Sequence, residues 1–199
     1  MYDWRKMTLQ ERDAVLNWRT HNCRPQHSPP HSDNEQSRNY LLSAACYEHK
    51  PIIILRPERI HGLVRFLKEI CGRFCKDVHA WCILPNHYHL LVTTEHIADL
   101  LRDLGQLHGR TSRMWNLEEH CTGRKVWFNC ADRRIRSERH FWASVNYIHH
   151  NPVKHGYCEQ WTDWPFSSAT EFLSQVGREK AIEIWKAYPI LDYGEKWDY

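Results

Sequence analysis

Two short stretches of this 199-residue chain hold side chains that could do chemistry together. The first is Leu84-Pro85-Asn86-His87-Tyr88-His89-Leu90-Leu91-Val92. Side chains alternate along a strand, so His87 and His89 share one face while Tyr88, Leu90 and Val92 take the other. Two imidazoles on neighbouring same-face positions can grip one divalent cation, and the apolar residues opposite would pin the strand to a core. With 15 histidines in the chain, roughly one His-x-His is expected by chance. A surface strand with two solvated imidazoles is therefore the competing reading. The hydrophobic setting argues against it, because buried imidazoles without partners are costly.

The second stretch is Ser144-Val145-Asn146-Tyr147-Ile148-His149-His150-Asn151-Pro152-Val153-Lys154. At about 100° per residue, Phe141, Val145 and Ile148 make a core-facing stripe, with His140, Ser144, Tyr147 and Asn151 on a neighbouring face. Tyr147 and Asn151 are i, i+4 partners, so a phenol and an amide leave the helix side by side. A phenol beside a divalent ion suits phosphoryl transfer, in which the phenolate attacks and forms a covalent intermediate. A tyrosine that packs with its hydroxyl bonded would leave the same pattern.

The elements that must position these residues can be read along the chain. Residues 1–38 form an extension, with a helix expected over Thr8 to Arg19 followed by a Pro/Ser/His stretch that cannot be regular. The core domain is expected over 39–157, and 158–199 form a C-terminal extension of turns and short helices. Tyr40–Tyr47 reads as a buried strand. Pro57 opens a helix with Ile60, Leu63, Val64, Leu67, Ile70 and Cys71 at 3- and 4-residue spacings. Val78–Leu84 and Tyr88–Val92 read as strands joined at Pro85-Asn86. A helix follows over Ile97–Trp115, then a strand over Lys125–Ile135. A last helix starts at Ser137 and is expected to end at the Asn151-Pro152 step. This β-α-β-β-α-β-α order predicts an α+β fold. It is a ferredoxin-like, split βαβ antiparallel sheet with the histidine pair on a central strand and an extra helix carrying the tyrosine.

Composition narrows the classes. The formal charge is +3, the pI is near 8.4 and the mean hydropathy is −0.70, while 42% hydrophobic residues can build a core. No run of about 18 apolar residues exists, so no membrane span is expected. The eight cysteines show no C-x-x-C and no paired zinc spacing. With no apolar signal core at the N-terminus, reduced thiols and a cytoplasmic location are expected. Cys71 and Cys75, at helical spacing, read as small buried hydrophobes.

From Arg102 to Arg139 nine basic residues face five acidic ones, a local balance of +4, which suggests a groove for nucleic acid. Arg133, Arg134 and Arg136 are the expected phosphate contacts. Trp127 is the expected base-stacking side chain, against core packing, since strand alternation lets only one of Trp127 and Phe128 face outward. His79 is a candidate supporting residue on the sheet face of the pair. His149 and His150 are expected at the surface, where one could assist a proton transfer, and His27 and His31 are expected in a flexible segment.

The motif Leu84-Pro-Asn-His87-Tyr88-His89-Leu-Leu-Val92, followed some 60 residues later by Tyr147-Ile-His-His-Asn151-Pro-Val-Lys-His-Gly156, resembles the REP-associated tyrosine transposases. These belong to the HUH single-tyrosine class, related to transposases of bacterial insertion sequences. The resemblance runs from about Tyr40 to Phe172 and includes Arg136-Ser-Glu-Arg-His-Phe-Trp142 and Trp161-Thr-Asp-Trp-Pro-Phe-Ser-Ser168. It implies that His87, His89 and Asn151 hold Mg²⁺ or Mn²⁺ and that Tyr147 is the nucleophile. The implied reaction cuts single-stranded DNA beside a hairpin, leaving a 5′-phosphotyrosine and a 3′-hydroxyl that can rejoin. It also implies a monomer working on the prokaryotic nucleoid. Tyr88 departs from the family's usual smaller aliphatic residue, and the long N-terminal extension is less typical. Two other readings are a domesticated DNA-hairpin-binding regulator that no longer cuts, and a hydrolase using zinc on the histidine pair without a covalent step.

Overall fold

The computed structural model describes residues 8–11, 13–14, 17, 38–191 and 193. Five of the twelve residues of the expected N-terminal helix and all of the Pro/Ser/His stretch, including His27 and His31, lie outside the described residues. Within that helix, Thr8 and Glu11 cap each other. The Glu11 amide donates to Thr8 Oγ1 at 3.3 Å, and the Thr8 amide donates to Glu11 Oε2 at 2.7 Å.

Ser37–Tyr193 forms one compact unit. Its elements are β1 (Asn39–Ala45), a 3₁₀ turn (Tyr47–His49), α1 (Pro57–Phe74), β2 (Asp77–Ile83), β3 (His87–Thr93), α2 (Ile97–Glu118), β4 (Ala131–Arg134), α3 (Glu138–Lys154), α4 (Ala169–Val176) and α5 (Arg178–Ala187). The four strands form one sheet in the order β2-β3-β1-β4, with every neighbouring pair antiparallel. This is the expected split βαβ arrangement.

Register explains the two faces. Leu42 pairs with Leu90 and Ala44 with Tyr88; these side chains enter a core with Leu63 and Leu67 of α1 and Leu100 and Leu104 of α2. Ser43 pairs with His89, and Ala45 with His87, so the histidines face the other way, toward α3. Six of the seven residues of β3 are buried, because helices cover both sides of the central strand. Among the described residues no helix is long and apolar enough to cross a membrane.

The last strand is shorter than the expected Lys125–Ile135. Ladder pairing is confined to Ala131–Arg134, and Trp127 meets β1 only through an isolated bridge to Cys46. The sum of paired numbers drops by one between Ser43–Ala131 and Cys46–Trp127. That one-residue slip interrupts the strand.

Helix α3 begins where expected, with the His140 amide donating to Ser137 Oγ at 3.1 Å. It does not stop at Asn151 but continues through Pro152 to Lys154. A proline in the last turn forfeits one hydrogen bond, and the carbonyls behind it are still used: the His155 amide donates to Asn151 O at 3.1 Å, and the Tyr157 amide to Pro152 O at 2.9 Å. Asn151 therefore stays helical, one turn from Tyr147.

Residues 158–193 fold onto this helix. Phe166–Ser168 runs along the edge of β2, with Ile83 N donating to Phe166 O and Ser168 N to Trp81 O, and Asn146 Nδ2 donates to Tyr188 O at 2.8 Å beyond the end of α5. Hence α3 is not the simple amphipathic helix its stripe suggested. Every residue from Ala143 to His149 is buried.

Candidate active site

The histidine pair owes its orientation to bonds on the far side of each ring. His89 Nδ1 lies 2.7 Å from Ser43 Oγ, its cross-strand neighbour. His87 Nδ1 lies 2.7 Å from Asn86 Oδ1, and Asn86 is itself tied down by donating Nδ2–H to His49 O. Both Nε2 atoms are thereby aimed at α3. There His87 Nε2 is 2.9 Å from Asn151 Oδ1, and His89 Nε2 is 3.3 Å from the Tyr147 hydroxyl. The two imidazoles stand edge to face, with ring centroids 4.9 Å apart. All four expected residues, His87, His89, Tyr147 and Asn151, converge within one chain and are buried.

The donor set can be tested for a cation on proton accounting. Asn86 Oδ1 only accepts, so His87 Nδ1 carries the proton and a neutral His87 presents a lone pair at Nε2. That lone pair faces Asn151 Oδ1, another acceptor, while Asn151 Nδ2 is buried without a hydrogen-bond partner. Two acceptors this close are relieved by a shared cation, by protonation of His87, or by turning the amide over. Their 2.9 Å separation equals that of two cis ligands each about 2.1 Å from an octahedral ion, roughly 3.0 Å. Among the described residues no three His, Cys, Asp or Glu side chains form a metal-holding group; the fitting set is two imidazoles and one amide.

Tyr147 is wholly buried. Its ring meets His89 at 5.0 Å and Tyr193 at 5.7 Å, and Lys154 Nζ lies 5.3 Å from its ring centroid. Tyr193 is held in turn by Ser144, with Oγ 2.6 Å from its hydroxyl. Sequence reasoning put Ser144 on the Tyr147 face but missed Tyr193 and Ser43: each of these acts through a contact across the fold that local spacing does not announce.

The arginines divide. Arg133 pairs with Leu41 and Arg134 with Tyr40, so they leave opposite faces of the sheet and cannot both serve the α3 side. Arg133 is the one on that side: partial desolvation lowers its guanidinium below the ordinary value, and the phenols of Tyr193 and Tyr147 oppose that shift. Arg136 is exposed at the mouth of α3, where its amide bonds His140. The basic segment is not one groove, since Arg102 pairs with Asp99 and Arg124 with Glu119.

Trp127 is not a base platform. It is buried, donates Nε1–H to Thr111 Oγ1 at 2.9 Å and stacks on His108 at 4.5 Å. The register slip turns it into the core, and the half-buried Phe128 takes the outer position against Tyr47. His149 is likewise not at the surface: its Nε2 lies 2.9 Å from Ser168 Oγ, and burial lowers its pKa to about 3. His79 bonds Thr93 and meets Phe141 of α3, on the expected sheet face. Among the described cysteines all are free thiols, with Cys46, Cys71 and Cys82 buried.

The model of the family "Transposase IS200 like" matches residues 46–149. A Haemophilus influenzae protein assigned as a REP-associated tyrosine transposase is 31% identical over 138 residues, covering 62% of this chain and 74% of the relative. The REP-associated tyrosine transposase of Escherichia coli K12 is 32% identical over 94 residues, covering 46% of this chain and 53% of the relative. Among solved structures, a REP-associated tyrosine transposase bound to a REP hairpin superposes with a TM-score of 0.56 at 19% identity. That match covers 74% of this chain and 86% of the other and is a likeness of fold.

Proposed function

The chain belongs to the IS200-like transposase family, with REP-associated tyrosine transposases as its relatives, and on that premise we propose a metal-dependent, tyrosine-based endonuclease and strand transferase. Its substrate is hairpin-forming single-stranded DNA, a reading supported by the fold neighbour, which was solved bound to a REP hairpin. The observation that carries the reading is the meeting of Tyr147 with His89 and of Asn151 with His87, both through Nε2, inside one protomer. This convergence supports a monomer as the working unit.

His87 and His89 would hold Mg²⁺ or Mn²⁺ through Nε2, with Asn151 through Oδ1; the ion, when bound, withdraws charge from the scissile phosphate. Ser43 and Asn86 fix the rings so that no rotamer search precedes binding. The Tyr147 oxygen forms a bond to phosphorus as the bond from phosphorus to the 3′-oxygen breaks. The phenol proton ends on that departing oxygen, so one P–O bond is made, one is broken, and net charge is unchanged. The product is a 5′-phosphotyrosine and a free 3′-hydroxyl. Attack of a 3′-hydroxyl on the phosphotyrosine reverses the step and rejoins DNA. Arg133, on the α3 face, is placed to meet a phosphate, while Arg136 meets the strand outside.

The second reading, a hairpin-binding regulator that does not cut, draws on one observation: Tyr147 is fully buried with its hydroxyl already bonded. Incubating the full chain with hairpin DNA bearing single-stranded flanks, with Mg²⁺ or Mn²⁺, separates the two. Cleavage lost on chelation and in His87→Ala and His89→Ala supports the nuclease. Metal-independent binding without a cut, across sequences, supports the regulator.

A further inference from the structure

A quarter turn or less around α3 from the tyrosine lies a second feature that the cleavage chemistry does not use. Helices α3, α4 and α5 and the loop at 160–162 enclose a cavity of about 370 Å³. At about 100° per residue, His150 leaves α3 roughly 60° from Tyr147. Its ring lies 4.7 Å from that of Trp185 on α5, while Trp161, also in the lining, meets His149 and Phe172. Flat rings therefore make up much of the wall.

Three observations say what such a cavity would take. Trp185 is 39% exposed and its neighbour Ile182 44% exposed, although both line the cavity, so apolar surface stands open to water there. Among the described residues, Arg178, at the start of α5, is the only charged side chain in the lining, and it has no ion pair or hydrogen bond there. No carboxylate of the described residues lines the cavity, so cationic ligands find no counter-charge among them. Gln160 and Thr162 bring an amide and a hydroxyl to the lining, groups that read base edges. The volume is at the low end for small-molecule sites, suited to one planar ring system rather than a peptide helix.

We propose that this cavity is a nucleobase subsite: one unpaired base of the single strand flanking the hairpin enters it and stacks on the lining rings, the Trp185–His150 pair first among them, with its phosphate toward Arg178. It rests on the proposed single-stranded DNA substrate and adds to it a protein-read position on the flank. The subsite would set which strand enters and hold it while Tyr147 acts.

The test uses the full chain and two DNAs, a hairpin with a single-stranded flank and the same hairpin without it, plus a series with one abasic position walked through the flank. Base stacking on an aromatic side chain is worth about 1–3 kcal/mol, or about 5- to 150-fold in Kd. Trp185→Ala is expected to weaken the flanked hairpin within that range, with the loss confined to flanked DNA and largely restored by Trp185→Phe. One abasic position should weaken wild type by a similar factor and cost Trp185→Ala nothing further. Arg178→Ala, at an exposed position, should lower the slope of log K against log salt by about 1. Equal losses on both DNAs, or no flank position coupled to Trp185, overturn the subsite while leaving the nuclease reading intact. A Trp185→Ala effect on thermal stability alone would place a segment of the chain in the cavity and also overturns it. Failure of wild type to bind either DNA removes both readings.

Discussion

The Tyr147 hydroxyl lies 3.3 Å from Nε2 of His89, the same nitrogen that the donor set would turn toward a metal ion. A tyrosine that was only a packing residue would need a partner for its oxygen, but not this one. Because Ser43 Oγ holds Nδ1 of the ring, Nε2 is the nitrogen left to face Tyr147, and the phenol stands beside the atom that would hold the cation. A cation held at that nitrogen would supply Lewis acidity beside the phenol of the proposed nucleophile.

Asn151 tests the metal set separately from the tyrosine. Asn151→Leu removes the amide oxygen while keeping volume, and should weaken Mn²⁺ binding more than about tenfold, since even outer partners of metal sites are worth about 10–100-fold. Two imidazole nitrogens also favour Mn²⁺ over Mg²⁺, which prefers an oxygen shell. Titration of bound Mn²⁺ by electron paramagnetic resonance reads both effects. Unchanged affinity in Asn151→Leu would remove this residue from the set.

Tyr193 packs on the wholly buried Tyr147, and in the proposed reaction its ring would have to move for DNA to reach the phenol. Tyr193→Ala should raise the rate of cleavage by about 2- to 10-fold, the worth of an aromatic pair. A rate equal to or below wild type would show that Tyr193 supports the site instead of covering it.

Tyr88, between the two histidines, serves the core. Burial holds its phenol well above the ordinary value, and its hydroxyl lies 2.9 Å from His108 Nε2, whose own pKa burial lowers to about 4. Tyr88→Phe leaves that buried ring nitrogen unpaired and should cost about 1–3 kcal/mol in denaturant unfolding. Cleavage by the folded fraction should stay near wild type.

His108 and His149 make stability fall in acid. Unfolded, each titrates near its model value of 6.5; folded, they take a proton only near 4 and 3. Below pH 6.5 the unfolded chain binds protons that the folded chain refuses. Stability is therefore full above that value and declines toward pH 4, by about 2 kcal/mol per histidine at pH 5. His149→Gln should flatten the decline by about half, as read from urea midpoints across pH 4.5–7.5.

The paired histidines, the tyrosine and Asn151 were legible because alternation on a strand and i, i+4 spacing on a helix are local rules. The reach of α3 through Pro152 was not, since its support comes from His155 and Tyr157 folding back on the preceding carbonyls. Trp127 and His149 were misplaced for a related reason. A one-residue slip against β1 buries the first, and Ser168, arriving from nearly 20 residues downstream, buries the second. Tyr193, 46 positions after Tyr147, has no sequence signal linking it to the site.

The most direct test is to trap the protein–DNA adduct on hairpin single-stranded DNA with Mn²⁺ and map it by mass spectrometry. The account predicts a 5′-linked nucleotide on the peptide carrying Tyr147, a free 3′-hydroxyl on the released strand, and no adduct in Tyr147→Phe. Cleavage with no covalent product, or an undiminished adduct in Tyr147→Phe, would contradict it.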